Sequence, residues 1–332
     1  MAIDLLNLQP HKVSRDLSGY ITYIFGAAKI GKTSLAAQAP DCLLLAAERG
    51  YNGLSGIIAQ DITSWSDMRQ VFRELKKPEV KQRFKVLIVD TIDLMAKYCT
   101  KYICNQNGIS DLGELGYGRG YSAMRSEFED VFNSLAQMGY AVIFISHAQD
   151  KTFKRADGTE YNKIVPSLSP DKVNAIIENM ADIYGYAHLA RDAEGNSVRV
   201  LTLRSPDDSV SCGCRFANID PVIPLGYQSL VDALNRAIDS VGEENTTTAP
   251  LAPLSTPDDL DFDALMEEFN TLVGKIQSAT GAEFGAKWAP KISETVSKYL
   301  GKNKKVADCT REQVEQLSLI VSDLEDEVAN GL

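Results

Sequence analysis

Histidine, tryptophan and cysteine are scarce in this chain of 332 residues, which contains three histidines, two tryptophans and six cysteines. The cysteines are scattered along the chain, so we expect free thiols of a cytosolic protein rather than a disulfide framework. Zinc-binding cysteine pairs are usually separated by about two to four residues and accompanied by a second pair. Cys212-Gly-Cys214 meets neither condition and has no histidine close in sequence, which argues against a metal site there.

Long apolar runs and a basic N-terminal region are also missing. No stretch approaches the ~20 apolar residues that a membrane-spanning helix needs. The first residues, Met-Ala-Ile-Asp-Leu-Leu-Asn-Leu, lack the basic region of a signal peptide. We therefore expect a cytoplasmic protein with no membrane partner.

Positive charge is in the minority, with 34 basic and 45 acidic residues and a net charge of −11. Taken alone, this balance disfavours a nucleic-acid-binding protein. The acidic excess is uneven, because residues 259–332 contain 14 acidic and 8 basic residues, a net of −6, which leaves −5 for residues 1–258. Local basic clusters therefore persist in the first part of the chain.

A glycine-rich stretch is the strongest signal in the sequence. It has the form G-x-x-x-x-G-K-T, follows an apolar run and precedes helix-forming residues. Such a loop turns successive backbone N–H groups towards an anion at a helix N-terminus. Lys32 is then expected to reach the β- and γ-phosphates of ATP and to act in catalysis, and Thr33 to hold Mg²⁺. The predicted nucleotide-binding residues are Gly26, Ala27, Ala28, Lys29, Ile30, Gly31, Lys32, Thr33 and Ser34.

Further apolar runs at Cys42–Ala47, Val86–Asp90 and Tyr140–Ser146 alternate with helical patterns. This alternation predicts an α/β fold, with a mostly parallel sheet and helices on both faces. Asp90 follows a buried strand and is the expected second Mg²⁺ ligand, with Asp93 as a further candidate near the metal.

The order of these motifs, Gly26–Thr33, Glu48-Arg49-Gly50, Val86–Asp90 and Ile143–His147, resembles that of phage-encoded RecA-like ATPases of the single-strand-annealing, core-recombinase type. The similarity covers roughly residues 15–240. It implies a RecA-like P-loop NTPase core, ATP hydrolysis, single-stranded DNA binding, a homo-oligomeric ring or filament, and a role in phage recombination or replication in an infected bacterial host.

The resemblance also implies roles for particular residues. Glu48 is expected to activate the attacking water, because RecA-like ATPases carry a glutamate at this strand end. The γ-phosphate sensor is expected at Ser146, His147 or Gln149, with His147 preferred. Thr91 stands where AAA+ proteins usually have their catalytic glutamate, so the chain departs from that pattern.

Basic and aromatic residues are interleaved in a predicted hairpin after His147. They are expected to bind phosphates and stack on bases of single-stranded DNA, and they are Lys151, Phe153, Lys154, Arg155, Tyr161 and Lys163. In RecA-like proteins a neighbouring subunit completes the active site with a basic residue, and Arg204 and Arg215 are the candidates.

Three domains or segments are predicted: an ATPase domain over residues 1–241, a flexible Pro- and Thr-rich linker over 242–258, and an acidic three-helix domain over 259–332. Two other functions stay open. One is a small-molecule P-loop kinase, although no Arg-rich lid segment is visible. The other is a nucleotide-switched loader whose helical tail docks on a helicase or a single-strand-binding protein.

Overall fold

The computed structural model describes residues 6–254 and 260–331. Contacts within the chain divide it into two compact units, a larger one over Pro10–Leu254 and a smaller one that holds the helices after residue 259. Within the described ranges, no helix is both long enough and apolar enough to cross a membrane.

The larger unit combines short edge strands with long central ones. Its strands are β1 (Val13–Ser14), β2 (Ile21–Gly26), β3 (Cys42–Ala46), β4 (Ala59–Asp61), β5 (Val86–Asp90), β6 (Ala141–Lys154), β7 (Glu160–Pro166), β8 (Ile183–Arg191), β9 (Ser197–Thr202), β10 (Gly213–Cys214), β11 (Val222–Pro224) and β12 (Thr246–Thr247). Its helices are α1 (Lys32–Ala36), α2 (Trp65–Leu75), α3 (Pro78–Arg83), α4 (Ile92–Asn107), α5 (Arg119–Gln137), α6 (Asp171–Met180) and α7 (Tyr227–Ser240).

The main sheet has the strand order β11-β9-β8-β2-β6-β5-β3-β4. Every neighbouring pair from β8 to β4 is parallel, whereas β9 and β11 join the β8 side antiparallel. The carboxyl ends of β2, β3, β5 and β6 therefore meet at one edge of the sheet, which is where ligands bind in open α/β sheets.

Apolar cores cover both faces of this sheet. Tyr23 and Phe25 point into one core together with side chains of α2, α4, α5 and α6, and Ile24 points into the other with side chains of α1 and α7. A strand that is buried on both faces needs apolar residues at every position, which explains the continuous apolar runs. The predicted α/β fold with helices on both faces of a mostly parallel sheet is confirmed.

The end of the larger unit differs from the predicted linker. Thr246 and Thr247 form β12, which pairs in parallel with β1. The Leu251 N–H donates to Ser18 O at 2.8 Å, and the Leu254 N–H donates to Gln137 O at 2.7 Å. The absence of helical or strand periodicity in this segment predicted a flexible linker, but its backbone N–H groups still form hydrogen bonds with the neighbouring surface. The larger unit accordingly extends to Leu254, and residues 255–258 of the predicted linker lie outside the described residues.

Within residues 260–331 the smaller unit has three α-helices, which are α8 (Phe262–Thr280), α9 (Ala289–Leu300) and α10 (Val314–Gly331), together with short 3-10 and π-helical turns. Asp261 caps α8 through hydrogen bonds from the Asp263 and Ala264 N–H groups. Ile276 and Trp288 pack with Ile320 in an apolar core of this unit. The helices match the sequence periodicity, because apolar residues at 3- and 4-residue spacing share one helix face.

Candidate active site

The two glycines of the phosphate-binding loop are required for different reasons. Gly26 ends β2 opposite Ala187 of β8, and a Cβ at Gly26 would lie 2.2 Å from the Ala187 carbonyl oxygen. Gly31 has a φ of +113°, which a residue with a side chain rarely adopts. The first glycine lets β8 approach, and the second lets the loop turn into α1.

Lys32 lies deep in this loop with 6% of its surface exposed. Its Nζ donates to the carbonyl oxygens of Gly26 at 2.9 Å and Ala27 at 2.8 Å. The pKa of the Lys32 ammonium is lowered, because the effect of burial outweighs the opposing effect of the nearby carboxylates of Asp90, Asp93 and Glu48. The ammonium is thus held at the position that the motif assigns to a phosphate-binding cation.

Thr33 and Asp90, the two residues predicted to bind magnesium, contact each other. The Thr33 hydroxyl donates to Asp90 Oδ2 at 2.6 Å. Burial raises the pKa of the Asp90 carboxyl, and the Glu48 carboxylate raises it further, against the opposing effects of Thr33, Lys32 and His147. One hydroxyl and one carboxylate suit Mg²⁺, which takes most of its remaining ligands from phosphates and water. The donor set therefore fits Mg²⁺ bound with ATP.

Glu48 lies two residues beyond the end of β3 and is held by its neighbours on the sheet edge. Its Oε1 accepts a hydrogen bond from the Thr91 hydroxyl at 2.9 Å and lies 3.2 Å from His147 Nε2. The backbone N–H groups of Ala47 and Glu48 both donate to the Asp90 carbonyl oxygen, at 2.7 and 3.2 Å. A fixed, half-exposed carboxylate beside the phosphate-binding loop has the geometry of a group that orients water.

The other candidates at this edge bond elsewhere. The Ser146 hydroxyl donates to Asp93 Oδ1 at 3.1 Å, and the Ser167 hydroxyl donates to the same oxygen at 2.6 Å. Gln149 donates to the carbonyl oxygen of Pro166 at 3.1 Å. Of the three residues expected to include the sensor, His147 is therefore the one in contact with Glu48.

Thr91 is the residue whose role was not predicted. Its sequence signal was only its departure from the AAA+ pattern, in which a glutamate follows the aspartate. In the structure Thr91 is buried and uses its hydroxyl to orient Glu48 from a neighbouring strand end. The carboxylate proposed to orient water thus follows β3, whereas the AAA+ pattern would place it directly after Asp90 at the end of β5.

The predicted hairpin is present as β6 and β7, paired in register from Ala148 with Pro166 to Lys154 with Glu160. Two of its basic side chains already form ion pairs within the chain. Lys151 pairs with Asp171, and Lys163 pairs with Asp208, which also accepts a hydrogen bond from the Tyr161 hydroxyl. Phe153 and Tyr161 lie across from each other, with ring centroids 5.8 Å apart, and the Arg155 guanidinium lies 4.4 Å from the Tyr161 centroid.

The two predicted trans-acting arginines are both bonded within their own chain. Arg204 donates to the carbonyl oxygens of Cys214 at 3.2 Å and Phe216 at 2.7 Å. Arg215 pairs with Asp182 at 3.1 Å and donates to Asn179 O. Arg204 is thus bonded to the segment at residues 214–216 and Arg215 to the end of α6 and the residues after it, and a role in a neighbouring active site stays a prediction.

The glycine-rich loop, the Thr33–Asp90 pair and the parallel α/β sheet define a P-loop nucleoside triphosphatase. A family model described as an AAA domain matches residues 18–211, which is more than half of the chain. The chain belongs to this AAA-domain family of P-loop ATPases. It is also 27% identical over 339 residues to the SPbeta prophage-derived uncharacterized protein YorG of Bacillus subtilis (strain 168), with 99% of this chain and 100% of that protein covered.

Proposed function

We propose that this protein is an ATPase stimulated by single-stranded DNA that acts in phage DNA recombination, annealing or replication, in the cytoplasm of an infected bacterium. The similarity to a prophage-derived protein over nearly the whole chain supports a phage setting. The order of the motifs supports a homo-oligomer like those of RecA-like ATPases. Membership of the AAA-domain family supports hydrolysis of ATP.

In the proposed reaction, Lys32 binds the β- and γ-phosphates, and Thr33 and Asp90 hold the magnesium ion, which neutralises phosphate charge when bound. Glu48 orients the attacking water and accepts its proton as the water oxygen bonds to the γ-phosphorus. The bond from that phosphorus to the β–γ bridging oxygen breaks in the same step, so ADP leaves with the bridging oxygen and phosphate is released. Thr91 keeps the Glu48 carboxylate in place. His147 is next to Glu48 and is therefore placed to respond to loss of the γ-phosphate.

The observation that carries the DNA proposal is the continuity of β6. This strand begins in the buried sheet at Ala141, passes through His147 and ends at Lys154 in the hairpin, with no break between them. A movement of His147 would therefore be carried along one strand to the hairpin. The nucleotide bound at the site would in this way affect the affinity of the hairpin for DNA.

Four cations near this path have no carboxylate within ion-pair distance among the described residues. Two of them, Lys154 and Arg155, are at the tip of the hairpin. The others, Lys97 and Lys101 of α4, line a cleft of about 670 Å³ together with Glu48, His147 and the exposed ring of Tyr121. Lysine and arginine side chains bind backbone phosphates, and exposed aromatic rings stack on bases.

The test compares ATP turnover with and without an oligothymidine strand, at low and high salt. The double variant Lys154→Glu/Arg155→Glu should lose the stimulation by DNA, because it places two negative charges at the hairpin tip. Lys81→Glu/Arg83→Glu, which makes the same charge change on α3, should retain it. Wild-type stimulation should also fall steeply with salt. Turnover that is indifferent to DNA at every salt concentration would overturn the proposal.

A loader is the second candidate, and the separate acidic helical unit favours it. This unit has its own apolar core, and residues 259–332 carry the net charge of −6 given above, which suits docking to a basic partner such as a helicase or a single-strand-binding protein. A loader should bind ATP with negligible turnover and should form a complex with such a partner only when residues 260–331 are present.

A further inference from the structure

An arginine outside the recognised motifs lies against the phosphate-binding loop. A Cβ built on Gly31 would be 3.7 Å from Nη1 of Arg199 and 3.5 Å from Cδ2 of Leu225. Arg199 is in β9, two strands away from β2 in the sheet. Its guanidinium therefore reaches past β8 to Gly31, at the end of the glycine-rich loop where α1 begins.

The register of the strands explains this approach. Arg199 is opposite Leu189 of β8, and Leu201, two residues later on the same face, lies in the apolar core that also holds Leu35 of the phosphate-binding helix. Side chains two apart on a strand share a face. Arg199 thus points to the face of the sheet that carries α1, near the edge where β2 and β8 end.

The backbone of Arg199 is held by a hydrogen bond, while its guanidinium has no partner among the described residues. The Leu225 N–H donates to the Arg199 carbonyl oxygen at 3.0 Å, which anchors the backbone. The side chain is exposed, and no carboxylate or carbonyl oxygen of residues 6–254 or 260–331 accepts a hydrogen bond from its guanidinium. Arg204 and Arg215, by contrast, are both bonded within the chain.

We propose that Arg199 contacts the phosphates of the bound nucleotide, within the same subunit that supplies Lys32. A guanidinium offers two parallel N–H donors to a phosphate, in a geometry that a lysine cannot reproduce. Lys32 would bind the phosphates from inside the loop, and Arg199 would bind them from the side of Gly31. The contact involves binding only and requires no covalent step.

The test is equilibrium binding of fluorescent ATP, ADP and AMP analogues, with ATP turnover measured alongside. Arg199→Ala should weaken ATP binding by about 10- to 150-fold, the usual cost of losing a hydrogen bond to a charged group. The loss should shrink from ATP to AMP as phosphates are removed. Arg199→Lys keeps the charge without the two-pronged donor, so its affinity should lie between that of Arg199→Ala and that of the wild type.

Arg125→Ala is the matched control, because Arg125 is a half-exposed arginine of α5 in a surface ion pair with Glu129. It should bind all three analogues as the wild type does. If Arg199 only covered Gly31, Arg199→Ala would lower the melting temperature of the nucleotide-free protein and weaken the three analogues equally. That result, or wild-type affinity of Arg199→Ala for ATP, would overturn the proposal.

Discussion

Replacing Glu48 with glutamine is the sharpest perturbation of the proposed mechanism. Glutamine has nearly the same shape, and its carbonyl oxygen still accepts the hydrogen bond that the Thr91 hydroxyl donates at 2.9 Å. What it loses is the capacity to take a proton from water. The substitution therefore separates proton transfer from the architecture of the site.

The expected loss follows from these contacts. A general base typically contributes about 100- to 10,000-fold to a rate, so Glu48→Gln should reduce turnover by that factor. Thr91→Val removes one hydrogen bond to a charged group, which is worth about 1.5–3 kcal/mol. Because about 1.4 kcal/mol corresponds to a factor of ten in rate, Thr91→Val should reduce turnover by about 10- to 150-fold, a range that reaches only the low end of the loss expected for Glu48→Gln.

The assay is single-turnover and steady-state ATP hydrolysis, with nucleotide affinity measured separately. Both variants should bind ATP as tightly as the wild type, since neither side chain is in the phosphate-binding loop. Glu129→Gln, which alters a surface glutamate of α5, is the control and should hydrolyse ATP normally. Wild-type turnover in Glu48→Gln, or a larger loss in Thr91→Val than in Glu48→Gln, would refute Glu48 as the base.

Three further predictions concern stability and domain organisation. Asp90→Asn should abolish stabilisation by Mg·ATP and yet raise the melting temperature of the nucleotide-free protein. The folded-state pKa of the Asp90 carboxyl is raised above its ordinary value of 3.8, so the wild-type protein loses stability as pH rises from 3.8 through the raised pKa. The higher melting temperature of Asp90→Asn relative to the wild type should therefore disappear as pH falls towards 3.8, in thermal melts from pH 8 to 4. Ile320→Ala should destabilise the smaller unit by about 2–5 kcal/mol in denaturant titrations, because a fully buried side chain leaves a cavity. A chain that stops after Leu254 should keep ATP turnover, because every predicted site residue lies in the larger unit; loss of turnover in a folded truncated chain would contradict this prediction.

Sequence reasoning succeeded where one local signal determines the structure. The loop from Gly26 to Thr33 combines a motif with a strand before it and a helix after it. The predicted hairpin after His147 is also local, because its strands are joined by a short turn in which the Arg155 N–H donates to the Thr159 carbonyl oxygen at 2.8 Å. In both cases residues close in sequence are also close in space.

The remaining features depend on strands that are distant in sequence. Arg199 reaches Gly31 only because β9 pairs with β8 and β8 pairs with β2, and no spacing in the sequence encodes that order. The pairing of Lys151 and Lys163 with Asp171 and Asp208 is equally invisible before the fold is known. A count of basic residues therefore overestimates the positive charge that the hairpin presents.

The contacts at the sheet edge also connect the proposed base, Glu48 just after β3, to the predicted metal ligands and to the hairpin. Thr33 bonds to the Asp90 side chain, and the Asp90 carbonyl oxygen accepts the N–H of Glu48. Glu48 in turn touches His147, the residue through which β6 leaves the core. Each step in this series joins atoms no more than 3.2 Å apart. Under the proposed mechanism, a shift of Asp90 should therefore displace both Glu48 and the start of the hairpin at His147. A glutamate at position 91 would lie next to Asp90 in the chain but would lack the contact between the end of β3 and His147.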